Sequence, residues 1–193
     1  MDKRVDFGVY HHSSRTESEE LRKTIVSLFD KAAEKLRIEN DAEKFTKCLD
    51  AGCGSGFVSY ILHESFKNTH IWAIDNFKDS SLENNSVEKT VNNFERLGIT
   101  DFITVVKADL KKIPYTDGYF DLAASSLVYH NFGHDLFLGI KEIYRVLKDD
   151  GIFLYGDIFI EKNINQIKAL FNVENTLKPE YMKEYSLLML SKK

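Results

Sequence analysis

The residues Asp50-Ala51-Gly52-Cys53-Gly54-Ser55-Gly56 carry the densest chemical information in the chain. Glycines at alternate positions leave backbone N–H groups open to a ligand, and a helical pattern (Phe57, Val58, Ile61, Leu62) follows at once. A helix N-terminus with open N–H groups favours negative charge. The third glycine comes one residue earlier than in the G-x-G-x-x-G run of dinucleotide sites. Asp50, read as ending a strand and facing the ligand, repels a pyrophosphate and attracts an ammonium group. Loop and acid together suit an amino-acid tail such as that of S-adenosylmethionine (SAM). The carboxylate then sits toward the helix and the ammonium toward Asp50.

Two further acids extend the pattern. Asp75 closes His70-Ile71-Trp72-Ala73-Ile74-Asp75, about 20 residues downstream, where nucleotide sites place the acid that accepts ribose hydroxyls. Asn76 stands beside it on the cofactor side. Asp109 follows Val106-Lys107-Ala108; its carboxylate can accept from an adenine amino group, with the Leu110 N–H facing the ring. Acids at the carboxyl ends of successive strands converge on the crevice where open parallel sheets bind ligands. Ser125, in the fourth strand, joins the cofactor set, and Cys53 packs inward from the loop. On the acceptor side, His130 reads as a base or orienting group, with Tyr129 beside it. Tyr10 and His11, joined by His134, read as substrate or lid residues.

The elements that must position these groups alternate regularly. Thr16-x-x-Glu19 reads as a capping box for a helix with Leu21, Ile25, Leu28, Phe29, Ala32 and Leu36 on one face. Phe45–Asp50 is a strand, and His70–Asp75 another. Ser80-x-x-Glu83 caps a helix bearing Val87, Val91, Phe94 and Leu97, which Gly98 stops. Strands follow at 102–108 and 120–125. Asp135 caps a further helix that Asp149-Asp150-Gly151 ends. A strand at 152–157, a helix at 163–170 and an adjacent strand pair near 173–177 and 185–190 complete the chain. Strands separated by helices imply right-handed crossovers and a parallel sheet. The final pair has no room for a crossover and reads as an antiparallel hairpin. The fold class is therefore α/β: one Rossmann-like open sheet, mostly parallel, with helices on both faces.

Composition excludes several alternatives. The chain has 193 residues, 43% apolar and 29% charged, with a formal charge of -4. That is one ordinary domain able to bury a core without staples. A predominantly basic nucleic-acid binder is disfavoured; Lys107, Lys111 and Lys112 form the one basic cluster near the crevice, read as a solvated loop edge. No apolar run approaches the ~18 residues of a membrane span, and the polar N-terminus reads as lacking a signal segment. Cys48 and Cys53 build neither a disulfide framework nor a zinc spacing, so no metal site is read and a cytoplasmic setting is expected.

From Cys48 to Asp157 the chain resembles the class I SAM-dependent methyltransferases. Cys48 to Gly56 resembles the family's first motif. Ile74-Asp75 matches its ribose acid, and Ala108-Asp109-Leu110 with Ile113-Pro114-Tyr115 its adenine segment. Phe120 to Ser125 matches the fourth-strand motif, and Glu142 to Lys148 with Gly151 the helix and turn before the fifth strand. The pattern is most similar to the small-molecule branch that includes quinone-biosynthesis methyltransferases. The resemblance implies about seven strands with the last antiparallel, and SAM across the strand ends. It also implies in-line transfer of the sulfonium methyl to a small-molecule acceptor. Residues 1–44 then form an N-terminal segment and helix able to cover the site, and 45–193 the methyltransferase-like domain. The acid-or-Asn and double-proline signature of amino-methyltransferases is absent, since Ser125-Ser126-Leu127 stands there. The alternatives are a non-catalytic partner subunit, an RNA or protein methyltransferase, or an NAD-dependent oxidoreductase; Asp50 and the early third glycine oppose the last.

Overall fold

A computed structural model describes residues 5–39, 44–78, 82, 84–159, 161–182 and 184–193. The helices are α1 (Arg15–Glu39), α2 (Phe57–Ser65), α3 (Val87–Leu97), α4 (Leu136–Val146) and α5 (Glu161–Leu170). The strands are β1 (Lys47–Ala51), β2 (His70–Asp75), β3 (Ile103–Lys107), β4 (Phe120–Ser126), β5 (Leu147–Ile158), β6 (Phe171–Leu177) and β7 (Tyr185–Lys192). They form a seven-stranded sheet of order β3-β2-β1-β4-β5-β7-β6. The neighbours from β3 through β5 are parallel, and β7 is antiparallel to both β5 and β6. The order reverses beside β1, so β1 and β4 diverge at a switch point where a crevice opens at their carboxyl ends.

Strand alternation sorts the core into two layers. Cys48, Leu122, Ala124, Leu154, Leu187 and Met189 pack with α1, α2 and α3. Leu49, Ala123, Phe153, Tyr155, Leu188 and Leu190 pack on the other face with α4 and α5. Asp121, almost wholly buried, ties the entry of β4 to β1 by accepting from the N–H groups of Thr46 and Lys47 and from the Lys148 ammonium. Among the described residues no helix is long and apolar enough to cross a membrane.

Several helix boundaries differ from the sequence reading. The capping box of α1 is Ser14-x-x-Glu17: the Ser14 hydroxyl accepts the Glu17 N–H at 3.2 Å, and the Glu17 carboxylate accepts the Ser14 N–H at 2.7 Å. Two overlapping patterns compete there, and the earlier one leaves Ser18 to accept the Tyr10 N–H at 3.0 Å. Ser80 and Glu83 lie outside the described residues; α3 starts at Val87, capped by Ser86, whose hydroxyl accepts the Lys89 N–H. Asp135 makes no side-chain cap, because its carboxylate pairs with Lys111 at 2.7 Å. Asp149-Asp150-Gly151 lies inside β5 rather than at a helix end, since buried Leu147 already pairs with Phe120. Gly98 does end α3, at φ +71°.

Candidate active site

The glycine loop turns sharply from β1 into α2. Gly52 and Cys53 both donate to the Ile74 carbonyl, at 2.8 and 3.1 Å, which lashes the loop to β2. Gly52 has φ +83°, and a β-carbon there would lie 2.3 Å from Val128 Cγ2. Gly56 has φ +89°, and its β-carbon would lie 2.4 Å from the Phe94 ring. These positions need glycine both for the left-handed turn and for the close approach of a neighbouring side chain. Gly56 also caps α2 without any side-chain hydrogen bond, and α2 has no acid in its first turn. In that first turn the Ser59 N–H is directed at the buried Asp50 carboxylate.

A cavity of about 480 Å³ opens over this loop, within the 300–1,000 Å³ usual for small-molecule and cofactor sites. Gly52, Cys53, Gly54, Asp75, Asn76, Leu110, His130, Tyr10 and His11 all line it. The Asp75 carboxylate holds the loop from below, accepting the Gly54 N–H at 3.0 Å and the Phe77 N–H at 2.7 Å. Cys53 packs inward as expected, and burial pushes its thiol well above the usual range.

Other expected site residues are placed elsewhere. Asp50 does not reach the cavity. Strand alternation turns it, with Cys48, toward α2, where it is fully buried and accepts the Ser59 O–H at 2.5 Å. Burial raises its carboxyl to about 7, with Ser59 opposing and the charge of Asp75 adding to the rise. Its other oxygen has no hydrogen-bond partner among the described residues. The expectation that Asp50 meets an ammonium at the loop surface is thus corrected. Asp109 is exposed at the rim and accepts the Lys111 N–H, so only Leu110 of that pair faces the cavity. Ser125 is buried and donates to the Ala51 carbonyl; Ser126 lines the cavity in its place. Tyr129 is a core residue, its ring against Phe132 and Tyr155 and beneath Gly139, where burial drives its phenol strongly upward. His134 is exposed and outside the cavity lining.

The N-terminal segment crosses the mouth of the cavity. Phe7 is buried against Phe57 and Tyr60. Buried Arg22 donates to the carbonyls of Phe7 and Gly8 at 3.0 and 2.7 Å, with its guanidinium 4.8 Å from the centre of the Tyr10 ring. Tyr10 forms a backbone bridge with Leu82, and residues 10–13 line the cavity. At the opposite wall, His130 Nδ1 lies 2.6 Å from Asp157 Oδ1, and the His130 N–H reaches Asp157 Oδ2 at 3.1 Å.

A family model described as a methyltransferase domain matches residues 49–155. The chain belongs to that family. It is 31% identical over 166 residues to sterol 4-C-methyltransferase strm-1 of Caenorhabditis elegans, covering 82% of this chain and 45% of that protein. It is 28% identical over 141 residues to human mitochondrial arginine-hydroxylase NDUFAF5, covering 72% of this chain and 36% of that protein. The chain thus spans less than half the length of either relative. Among solved structures, the PH0226 protein of Pyrococcus horikoshii OT3 superposes with TM-score 0.70 at 17% identity, covering 100% of this chain and 96% of that one. That likeness shows the fold.

Within this methyltransferase domain the sequence reading missed Ser126, Val128, Leu82 and Asp157. Asp157 was findable: it stands near the carboxyl end of a strand, as Asp50 does, and the rule applied to three other acids covers it too. Ser126 was missed by one residue of register. Leu82 and Val128 carry no chemical signal of their own; they are close only because the glycines opposite them have no side chain.

Proposed function

We propose that the chain binds SAM in the 480 Å³ cavity and catalyses methyl transfer to a small-molecule acceptor. The observation that carries this reading is the glycine loop at the start of α2 opening onto a cavity whose wall holds Asp75. In that arrangement the positive end of α2 attracts the carboxylate of the amino-acid tail. Asp75 and Asn76 receive the ribose hydroxyls, and Leu110 covers the adenine. The buried hydroxyl of Ser55 and the side-chain carbonyl of Asn85, both lining the cavity without hydrogen-bond partners among the described residues, are polar groups suited to such a ligand. SAM, when bound, supplies an electrophilic methyl on a sulfonium whose charge is lost as the methyl leaves. The protein's contribution is to hold the acceptor in line, roughly 3 Å from the methyl, with water excluded. The segment around Tyr10 and His11 closes the mouth, and His130 lines the acceptor side. A cytoplasmic setting belongs to the same proposal, supported by two buried free thiols.

Calorimetric titration with SAM, S-adenosylhomocysteine and NADH tests the reading. Binding of S-adenosylhomocysteine without NADH is the expected result. Preferential NADH binding overturns the cofactor, and nucleoside binding without methyl incorporation into any acceptor favours a non-catalytic partner subunit.

A further inference from the structure

We infer that Asn93 is a positioning residue for the cofactor: one buried side-chain amide holds the glycine loop and the N-terminal segment at once. Two walls of the cavity are thereby tied to each other through α3. This rests on the SAM reading above and adds the residue that keeps the loop and its cover in register.

Residues 90, 93 and 94 share one face of α3, as spacings of three and four require. They meet three consecutive residues of the glycine loop in order. The fully buried Thr90 hydroxyl donates to the Gly54 carbonyl at 2.6 Å. The Asn93 side-chain amide donates to the Ser55 carbonyl at 2.9 Å. The Phe94 ring fills the space that a side chain on Gly56 would need. α3 thus sets the peptide planes of the loop, because a carbonyl held on one side turns the whole planar unit with it.

Asn93 also reaches the other wall. Its amide nitrogen lies 3.1 Å from the Asp6 carbonyl, and the residue is only 3% exposed. A carboxamide nitrogen carries two N–H donors, so it serves both carbonyls together. The Asp6 carboxylate accepts the Gly8 N–H and pairs with Arg15 and Lys89, which fixes the chain just before Phe7. Phe7, Tyr10 and His11 line the cavity from this segment, and Gly54 and Ser55 line it from the loop. Asn93 and Thr90 stand behind these walls, outside the lining. A buried hydrogen bond is costly to leave unmade. Movement of one wall strands a carbonyl or drags Asn93, so the other wall opposes it. Such coupling is reciprocal: a ligand that orders the loop orders the segment as well.

Hydrogen exchange and calorimetry on three variants test this. Asn93→Leu keeps a side chain of similar size and removes both donors. Thr90→Val removes the donor to Gly54 and leaves the tie to Asp6 intact. Without ligand, Asn93→Leu should raise amide exchange in residues 7–13 and 52–56 together, and Thr90→Val in 52–56 alone. Asn93→Ser should show the same paired rise, since a hydroxyl has one proton for two carbonyls; it decides the matter should the leucine variant fail to fold. Asn93→Leu should weaken S-adenosylhomocysteine binding about tenfold, and 5′-methylthioadenosine, which lacks the amino-acid tail, by no more than about twofold. Lower stability in urea with both affinities kept is what a merely structural Asn93 gives, and it overturns the proposal. So do equal losses for the two nucleosides, or exchange in the Asn93 variants that rises in one segment only. A rise at residues 7–13 in Thr90→Val shifts the link from Asn93 to α3 as a whole and overturns it too. Failure of the wild-type chain to bind S-adenosylhomocysteine overturns the underlying function instead, and the ligand-free exchange then still decides whether Asn93 joins the two walls.

Discussion

At the scale of single residues, the acids sort by where strand alternation sends them. Asp75 reaches the cavity, and Asp75→Ala should weaken S-adenosylhomocysteine binding by about 1–3 kcal/mol through lost charged-acceptor hydrogen bonds. Unchanged calorimetric affinity in a folded variant removes Asp75 from the site. Asp50 acts on stability instead. Its carboxyl sits near 7 in the fold, against 3.8 for the ordinary group, because burial disfavours the charged form. Between those values the folded chain holds a proton that the unfolded chain has released, so this group's contribution to stability falls as pH rises through the window. Three pH units correspond to at most about 4 kcal/mol. Asp50→Asn should therefore gain on the wild type in urea denaturation at pH 8 relative to pH 4.5, and a pH-independent difference would contradict this assignment. The identity of the loop was legible from its residues. The direction of the Asp50 side chain was not, because strand parity depends on a boundary that the sequence leaves uncertain by a residue.

At the scale of elements, the strands of the parallel sheet were legible because buried strands read as continuous apolar runs between helices. The antiparallel β6–β7 pairing followed from the lack of room for a crossover. Helix starts were less legible, since Ser14-x-x-Glu17 and Thr16-x-x-Glu19 satisfy the same pattern and only tertiary contacts choose between them. Ser14→Ala should cost about 1 kcal/mol of stability and Thr16→Ala should be nearly neutral. Thermal or denaturant unfolding of the two variants checks the assignment, and equal losses would refute it. The β5 boundary was misplaced for a related reason: Asp149-Asp150-Gly151 has the composition of a turn, yet pairing with β4 starts at Leu147.

At the scale of the whole molecule, the N-terminal segment and the sheet share one core, with Phe7 packed among α1 and α2 residues. Arg22 holds that segment by two carbonyls, so Arg22→Met should raise amide exchange across residues 7–13 while leaving the sheet protected. Loss of that cover should weaken S-adenosylhomocysteine binding about tenfold, or ~1.4 kcal/mol. Exchange rates that do not change would show that Phe7 packing and the Tyr10 N–H bond to Ser18 hold the segment without Arg22. The sheet order carries a further consequence. β7 is made after β6 yet lies between β5 and β6. While the nascent chain emerges from the ribosome, β6 has no partner to hydrogen-bond with until β7 has followed it out. An interrupted translation product that stops before Tyr185 thus leaves β5 with a bare edge and β6 stranded, two adhesive surfaces of the sort that quality control removes.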